Sequence, residues 1–331
     1  MNKKGISKIL IAIIVILLIV LITIGIGIYF VWSKFSKVEY EKLDESNLDV
    51  NANLYENVSD KVTKEEFNDV VSVVLFGTDS RDTTNMDAGR SDTIIIASVN
   101  PKMKSMKLIS IPRDTYVNVP GYGKTKINHA YAYGKEQLSI KTINNNFGLN
   151  ITEYVTIDFS GLINIINTVG GINMNITEEE MKYINNGVKE QYKITGNPVK
   201  KVTHSGSVTL TGEQALTHSR NRTVGNDFTR ASRQREVLEA LINKMSSMDL
   251  NSILSLSDNF LSEVRTNMNP TKYMGLVTSM LTNKSEYMKN FISAQVPNTE
   301  YASGQMIDGV YYFVPNMEKA KLDFYTYLFE K

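Results

Sequence analysis

The longest uninterrupted run of apolar residues lies near the start of the chain, at positions 9–32. It contains no charged residue, and Thr23 is its only polar side chain. In a helix its 24 residues extend roughly 36 Å, at about 1.5 Å each, and a hydrocarbon core is about 30 Å thick. Trp32 is suited to a membrane interface, and three lysines precede the run (Lys3, Lys4 and Lys8). The pattern predicts a transmembrane anchor.

A cleaved signal peptide is the alternative interpretation of this segment. Its apolar region is typically shorter and ends at a small-x-small site, and residues 9–32 have no such ending. We therefore expect a single-pass protein of the cell membrane. Residues 1–8 are its cytoplasmic tail, and the C-terminal part lies outside the cytoplasm.

The segment after the apolar run is polar and charged. Residues 33–68 contain no Gly or Pro, and we interpret them as a juxtamembrane linker, either a helical stalk or an irregular spacer. From residue 70 the pattern changes to short β-rich runs bounded by turn residues, at 70–76, 93–99 and 107–111. Near-continuous apolar strands of this kind are typical of sheets that are buried on both faces.

Further along the chain, helical and strand patterns alternate. The expected strands are 154–159 and 172–176, residues 178–209 are expected to be mixed and loop-like, and the expected helices are 136–147, 162–168, one beginning at Thr211, one from Asp227 to about Met245, 252–265, 270–282 and 317–329. This alternation predicts an α/β fold in which a central mixed β-sheet is flanked by helices, an αβα sandwich. We assign it to one extracytoplasmic domain, residues 69–331, with the motif-bearing part at about 70–247.

Net charge and cysteine content exclude several classes of function. The chain has 36 Lys and Arg against 35 Asp and Glu, a net charge of +1, which argues against a broad nucleic-acid-binding surface. It has no Cys, so disulfide, thiolate and Cys-zinc chemistry are excluded. No Walker loop, HExxH motif or nucleophile elbow occurs in it.

Arginine is distributed unevenly. Only nine of the basic residues are Arg, and all but Arg265 lie in the windows 81–113 and 220–235. The planar guanidinium fits phosphate or carboxylate oxygens in a bidentate manner, whereas Lys serves ordinary solvation equally well. The clustering favours a ligand with several phosphate oxygens over the alternative of a solvated basic face.

Two motifs at the ends of the first expected strands carry acids. In 75–81 (LFGTDSR) a buried strand leads directly to Asp79 and Arg81, and in 89–93 (GRSDT) Arg90 and Asp92 precede the next strand. If these strand ends meet, two carboxylates together with phosphate oxygens suit Mg²⁺. The alternatives are a turn whose acid binds loop N–H groups and a pair of solvated acids.

The remaining candidates are mainly basic. Arg113 follows a strand that stops at a proline, with an exposed ion pair to Asp114 as the alternative. Arg220 and Arg222 alternate along an extended stretch, and a shared helix face holds Arg230, Arg233 and Gln234. Because this face is near the helix N-terminus, it favours anions. The 126–131 segment offers Lys126 and His129, and we expect His129 to line the pocket or to be structural.

Taken together, these motifs resemble the LytR–CpsA–Psr family. The match rests on LFGTDSR, GRSDT, IPRDTYV, GYGKTKINHAYAYG, the VGGI turn and SRNRTVGNDFTRASRQ, in family order behind one anchor. The resemblance implies an extracytoplasmic αβα domain that binds polyprenyl-diphosphate-linked glycopolymers in Gram-positive bacteria and uses Mg²⁺. It implies transfer of teichoic acid or capsular polysaccharide to peptidoglycan, with release of polyprenyl phosphate.

The resemblance also implies roles for individual residues. Asp79 and Asp92 match metal-associated acids, Gln234 matches a helix position of the family, and the diphosphate-binding arginines are matched by Arg81, Arg113, Arg220, Arg222 and Arg230. Thr229 departs from the glycine that many members carry. We expect Asp79, Arg81 and Asp92 to be catalytic, and Arg90, Lys126 and Arg233 to be possible pocket residues.

The expected reaction is a phosphotransfer that needs no covalent nucleophile. An acceptor hydroxyl attacks the sugar-linked phosphorus, Asp79 or Asp92 is the base, and the prenyl chain enters an apolar slot between sheet and helices. Two alternatives remain open: an envelope regulator or attenuator that binds polyprenyl diphosphate without chemistry, and a lipid pyrophosphatase that uses water as acceptor.

Overall fold

A computed structural model describes residues 38–79, 89–196, 200–221, 227–257 and 261–330. Its helices are α1 (Lys64–Asp69), α2 (His129–Phe147), α3 (Phe159–Thr168), α4 (Glu178–Thr195), α5 (Gly212–Ser219), α6 (Asp227–Ser246), α7 (Leu250–Ser257), α8 (Pro270–Thr282), α9 (Lys284–Lys289) and α10 (Met317–Phe329). Its strands are β1 (Glu39–Tyr40), β2 (Val71–Thr78), β3 (Ser91–Asn100), β4 (Ser105–Ser110), β5 (Tyr116–Val119), β6 (Gly123–Lys126), β7 (Glu153–Asp158), β8 (Ile172–Ile176), β9 (Gly206–Leu210), β10 (Val264–Thr266), β11 (Phe291–Gln295), β12 (Ala302–Ile307) and β13 (Val310–Pro315).

The centre of the fold is a seven-stranded mixed sheet in the order β1-β10-β7-β2-β3-β4-β11. β2 lies parallel to β7 and antiparallel to β3, and β3 is antiparallel to β4. The carboxyl ends of β2, β4 and β7 therefore meet the amino end of β3 at one edge of the sheet. The expected mixed sheet with flanking helices is confirmed.

Alternating side chains cover the two faces of the sheet. Val74 and Phe76 of β2 pack into the largest core, together with α2 and α10. Leu75 between them faces the opposite side, towards α3, α5 and α6. On that side α3 begins where β7 ends, because the Asp158 carboxylate accepts a 2.7 Å hydrogen bond from the backbone N–H of Gly161.

Residues 38–68 of the expected linker pack against this domain. Leu48, Leu54 and Val58 are at most 1% exposed and belong to the same core as β2 and α2. The folded domain therefore includes residues before position 69. The buried apolar residues of this charged segment are unevenly spaced, four to six positions apart, and further apolar residues lie between them (buried: Leu43, Leu48, Leu54, Val58 and Val62). The sequence therefore showed no sustained helical or strand period here.

Two of the sequence expectations were wrong. Residues 178–209 contain the long helix α4 and the strand β9, which pairs with β8. The expected helix at 252–265 is instead the shorter α7, a 3₁₀ turn at Leu261–Glu263 and the strand β10. β10 is specified by pairing with β7 and β1 far away in sequence, which a local pattern does not contain.

The expected anchor at 9–32 lies outside the described residues. Within the part of the chain that the structure describes, the helices are all too short or too polar to cross a bilayer.

Candidate active site

Asp79 and Asp92 come together at the edge where β2 ends and β3 begins. In the ladder Gly77 lies opposite Thr93 and Thr78 opposite Ser91, so Asp92 is an extra residue that forms a β-bulge. Bulges change the direction of a side chain at sheet ends. The Asp79 N–H donates to the Arg90 carbonyl at 3.4 Å. The register thus brings both acids to one edge, as the motifs predicted.

Arg113 joins these acids from the end of β4. Its Nη1 donates to Asp92 Oδ1 at 2.7 Å, and its Nε lies 3.4 Å from Asp114 Oδ2. Lys126 Nζ in turn donates to Asp114 Oδ1 at 2.6 Å. The Arg113 side chain is 22% exposed, so it is accessible while two carboxylates hold its orientation. The ion pair that we considered as an alternative is therefore part of a larger charged network.

Buried polar atoms surround this network. The hydroxyls of Thr78 and Ser91 and the amide oxygen of Asn128 are buried, and none has a hydrogen-bond partner among the described residues. Buried polar groups normally have hydrogen-bond partners. In the described part of the chain, three such groups without one lie beside the charged network and therefore mark this edge of the sheet as a candidate ligand site. Sequence patterns did not single out these three residues, although each lies within one of the motifs described above (LFGTDSR, GRSDT and GYGKTKINHAYAYG).

Arg220 and Gln234 lie at an apolar cavity beside the acids. The cavity has a volume of about 120 Å³ and lies between the sheet and the helices α3, α5 and α6, with the lining residues Leu75, Ile95, Phe159, Leu162, Leu216 and Leu238. Arg220 Cζ is 5.0 Å from the centre of the Phe159 ring. Gln234 Nε2 donates to the Asp92 carbonyl at 3.4 Å. Gln234 thus connects the cavity to the charged network. We name this cavity the apolar slot.

Arg233 and Arg235 have other surroundings. Arg233 is 3% exposed, binds Glu180 at 2.9 Å and donates to the Asn221 carbonyl at 3.3 Å. It holds α4 and the end of α5 against α6, which gives this expected pocket residue a structural role. Arg235 donates to Ser110 and, at 3.1 Å, to Ser293, and burial lowers its pKa. These hydrogen bonds connect α6 to β4 and β11.

The other candidates divide into two groups. Arg81 and Arg222 lie outside the described residues; Arg230 belongs to α6, but its side chain lies outside them too. Arg90 is exposed and, with Lys126, lies close to His129. Burial, followed by these two cations, lowers the pKa of His129, which therefore favours its neutral form beside a cationic surface.

The acids at this edge fit a magnesium ion in part. Among the described residues, no three or more His, Cys, Asp or Glu side chains cluster as a metal site. Asp79 and Asp92 supply hard oxygen ligands, and Mg²⁺ is commonly bound by one or two carboxylates together with phosphate oxygens and water. The donor set suits a metal that arrives with a phosphate ligand better than a permanent structural ion.

Together these features define a class of protein: a mixed α/β domain with arginines and carboxylates at one sheet edge, beside an apolar slot. Such a site suits an amphipathic anion. The chain belongs to the LytR_cpsA_psr family, whose model matches residues 33–326.

Individual relatives agree with this membership. The chain is 33% identical over 321 residues to the polyisoprenyl-teichoic acid–peptidoglycan teichoic acid transferase TagU of Bacillus anthracis, covering 95% of each protein. Among solved structures it resembles TagT bound to LI-WTA, with a TM-score of 0.62 and 28% identity over 81% of this chain and 94% of that one. It also resembles YwtF (TagT) with bound octaprenyl pyrophosphate lipid, with a TM-score of 0.58 and 27% identity, covering 81% and 96% respectively.

Proposed function

We propose that the protein transfers a polyprenyl-diphosphate-linked anionic glycopolymer, of the teichoic acid or capsular polysaccharide type, to peptidoglycan. The observation that carries this proposal is the connection of the apolar slot to the charged network: Gln234 lines the slot and donates to Asp92, which binds Arg113. An apolar slot that opens at fixed cations suits a ligand with a hydrocarbon chain and a diphosphate. The transferase name of TagU and the lipid bound to TagT support the same ligand class.

The side chains divide the work of binding between the two parts of the ligand. The prenyl chain lies in the slot against Phe159, Leu216 and Leu238. Arg220 neutralises phosphate oxygens at its mouth, and Arg113 does so from the β4 side. Of the residues whose side chains are not described, we assign Arg81, Arg222 and Arg230 to the same task because of their motifs. Asp92 and Asp114 orient the Arg113 guanidinium at this edge before the ligand binds.

Asp79 and Asp92 are the residues that would hold Mg²⁺ on the diphosphate. When bound, the ion would neutralise charge that develops on the phosphate oxygens. The register of β2 and β3 supports this assignment because it brings both carboxylates to one edge.

The reaction follows from this binding arrangement. An acceptor hydroxyl of peptidoglycan forms a new oxygen–phosphorus bond with the sugar-linked phosphorus. The bond from that phosphorus to the bridging oxygen breaks, polyprenyl phosphate leaves, and Asp79 or Asp92 accepts the hydroxyl proton. Arg113 and Arg220 stabilise the charge on the leaving phosphate, and such positioning and charge stabilisation account for most of the catalysis in phosphoryl transfer. We assign the reaction to the outer face of the cell membrane, with residues 9–32 as anchor.

Substitution of the two described arginines tests the proposal. Full-length protein in detergent is given a polyprenyl-diphosphate-linked glycan and peptidoglycan, and the attached polymer and the released polyprenyl phosphate are measured. Arg113→Ala and Arg220→Ala should each reduce transfer about 100-fold or more. Lys182→Ala, on the exposed face of α4, is the control and should leave transfer unchanged.

Three results would contradict the proposal. Near-normal transfer by both arginine variants would remove the role of the cations. Release of lipid phosphate that does not depend on peptidoglycan would indicate a pyrophosphatase. Lipid binding without any release would indicate a regulator.

A further inference from the structure

Two tyrosines form an exposed stacked pair close to the charged network. The side chains of Tyr122 and Tyr133 are 56% and 45% exposed. Their ring centres are 4.3 Å apart and their planes differ by 18°. Large aromatic side chains are usually buried for most of their area, so two stacked rings that both face solvent require an explanation.

The backbone fixes both rings. Tyr122 lies in the turn between β5 and β6, between Gly121 and Gly123, whose φ angles of 83° and 77° favour glycine. Its N–H donates to the Val119 carbonyl at 2.9 Å, which closes the turn. Tyr133 lies on α2 one residue before the helix is interrupted at Gly134 and Lys135. Neither ring depends on a flexible loop end for its position.

The pair borders the proposed active site through His129. The His129 and Tyr133 ring centres are 5.9 Å apart, and His129 Nδ1 lies 2.8 Å from Thr125 Oγ1 in β6. His129 also lies near Arg90 and Lys126, and Lys126 binds Asp114 of the charged network. His129 therefore links the tyrosine pair to the charged network, and a glycan bound at the network has the pair as a neighbour.

We infer that Tyr122 and Tyr133 form a subsite for one pyranose ring of a glycan. The C–H groups of a pyranose face carry partial positive charge and pack against the negative face of an aromatic ring, while phenol hydroxyls bind sugar hydroxyls at the edge. Rigid tyrosines provide such contact area with little loss of side-chain entropy. Because the two rings stack on each other, each keeps only its other face free. A pyranose ring can pack flat against such a free face. This subsite rests on the proposed function and deepens it.

The sugar can come from the lipid-linked donor or from the acceptor glycan strand, and binding measurements separate the two. Full-length protein in detergent is titrated by calorimetry with three probes: farnesyl diphosphate, farnesyl diphosphate bearing one N-acetylhexosamine, and an N-acetylglucosamine tetramer. Tyr122→Ala should weaken binding of one sugar-bearing probe at least about fivefold, with farnesyl diphosphate unaffected. Weaker binding of the sugar-bearing lipid would show that the subsite holds a sugar of the lipid-linked donor. Weaker binding of the tetramer would show that it holds a sugar of the acceptor strand.

Two further variants serve as controls. Tyr122→Trp keeps a flat ring and should retain sugar binding, whereas Tyr40→Ala removes a tyrosine that is similarly exposed, at 57%, and lies on β1. Equal affinity of wild-type protein and Tyr122→Ala for both sugar-bearing probes, at an unchanged unfolding midpoint, overturns the subsite. Failure of the wild type to bind farnesyl diphosphate instead contradicts the proposed function, so the two failures are distinguishable.

Discussion

The Arg113 guanidinium lies 2.7 Å from the Asp92 carboxylate, so a proposed phosphate-binding cation and a proposed metal-binding acid orient each other. In the free protein the pair neutralises both charges at a partly exposed edge. A bound diphosphate would compete with Asp92 for Arg113, and a cation on Asp92 would compete with Arg113 for the carboxylate. Binding of the lipid and of the metal should therefore be coupled.

Asp79→Asn should separate catalysis from binding. The amide has nearly the same size as the carboxylate but carries no charge, so it can neither hold a divalent ion well nor accept the acceptor's proton. We expect turnover to fall about 100-fold, while affinity for the lipid diphosphate, measured without a divalent ion, changes little because the arginines remain. Turnover and calorimetric binding of the polyprenyl-diphosphate-linked glycan are the measurements.

The matched control for this change is Asp308→Asn in the exposed turn between β12 and β13. Asp308 has a φ of 50°, which Asn tolerates well, so its substitution should alter neither quantity. Unchanged turnover of Asp79→Asn would contradict the roles proposed for Asp79 in holding the metal and accepting the proton.

Leu238→Trp should narrow the apolar slot. Leu238 lines this cavity of about 120 Å³, and the larger ring occupies space that the prenyl chain needs. We expect affinity for a long-chain polyprenyl diphosphate to fall about tenfold, since lost apolar contact costs about 25 cal/mol per Å². Affinity for inorganic diphosphate should be unchanged.

Leu322→Trp adds the same ring at a side chain that is 59% exposed, and serves as control for Leu238→Trp. An equal loss of affinity for the long-chain lipid and for inorganic diphosphate in Leu238→Trp would mean that the site was distorted rather than narrowed.

Much of the site could be predicted because its residues stand next to strand ends. β2, β3 and β4 are apolar enough to be recognised locally, and alternating strand directions bring Asp79, Asp92 and Arg113 to one edge. The bulge at Asp92 and the buried Thr78 hydroxyl depend on the register between strands. Register is set by pairing in three dimensions and not by either strand alone.

The clustering of arginine along the sequence predicted the site residues less well than the strand-end motifs did. Arg233 and Arg235 lie in the second arginine window, but they bind Glu180 and two serines of the protein itself. A guanidinium fits a protein carboxylate as well as a phosphate, so composition cannot separate the two. A better local signal was available for α4, where Thr177 and Glu180 form a reciprocal cap. Its T-x-x-E spacing is a helix-start pattern in a segment that we had expected to be loop-like.

Arg265, the arginine outside both windows, should act on stability. It lies 3.0 Å from Glu136, both side chains are 3% exposed, and Glu136 also accepts hydrogen bonds from Tyr131 and Thr156. Glu136→Gln leaves a buried guanidinium without its main counter-charge. We expect a loss of about 3–5 kcal/mol in the free energy of unfolding, measured by denaturant titration.

An exposed ion pair provides the comparison. Glu178 binds Lys182 one turn along α4, with both side chains more than 60% exposed (62% and 64%), so Glu178→Gln should leave stability unchanged. The double variant Glu136→Gln/Arg265→Met should recover part of the loss, because it also removes the unpaired charge. A Glu136→Gln protein as stable as wild type would show that this buried pair contributes nothing net.

His129 should make stability depend on pH. Burial, then Arg90 and Lys126, lowers its pKa below the ordinary value of 6.5, with Asp114 acting weakly in the opposite direction. Below pH 6.5 the unfolded chain therefore binds a proton more readily than the folded one does. Stability is retained above that pH and declines as the pH falls towards the folded-state pKa.

In His129→Gln this contribution is absent, so its unfolding midpoint should decline less than that of the wild type between about pH 7 and pH 5. His204 is exposed, and His204→Gln corrects for the general effect of losing an imidazole. An identical decline in wild type and His129→Gln would mean that neither burial nor the two cations lower the pKa of this histidine. A bound diphosphate should reduce the difference, because its negative charge offsets Arg90 and Lys126 and restores the affinity of His129 for its proton.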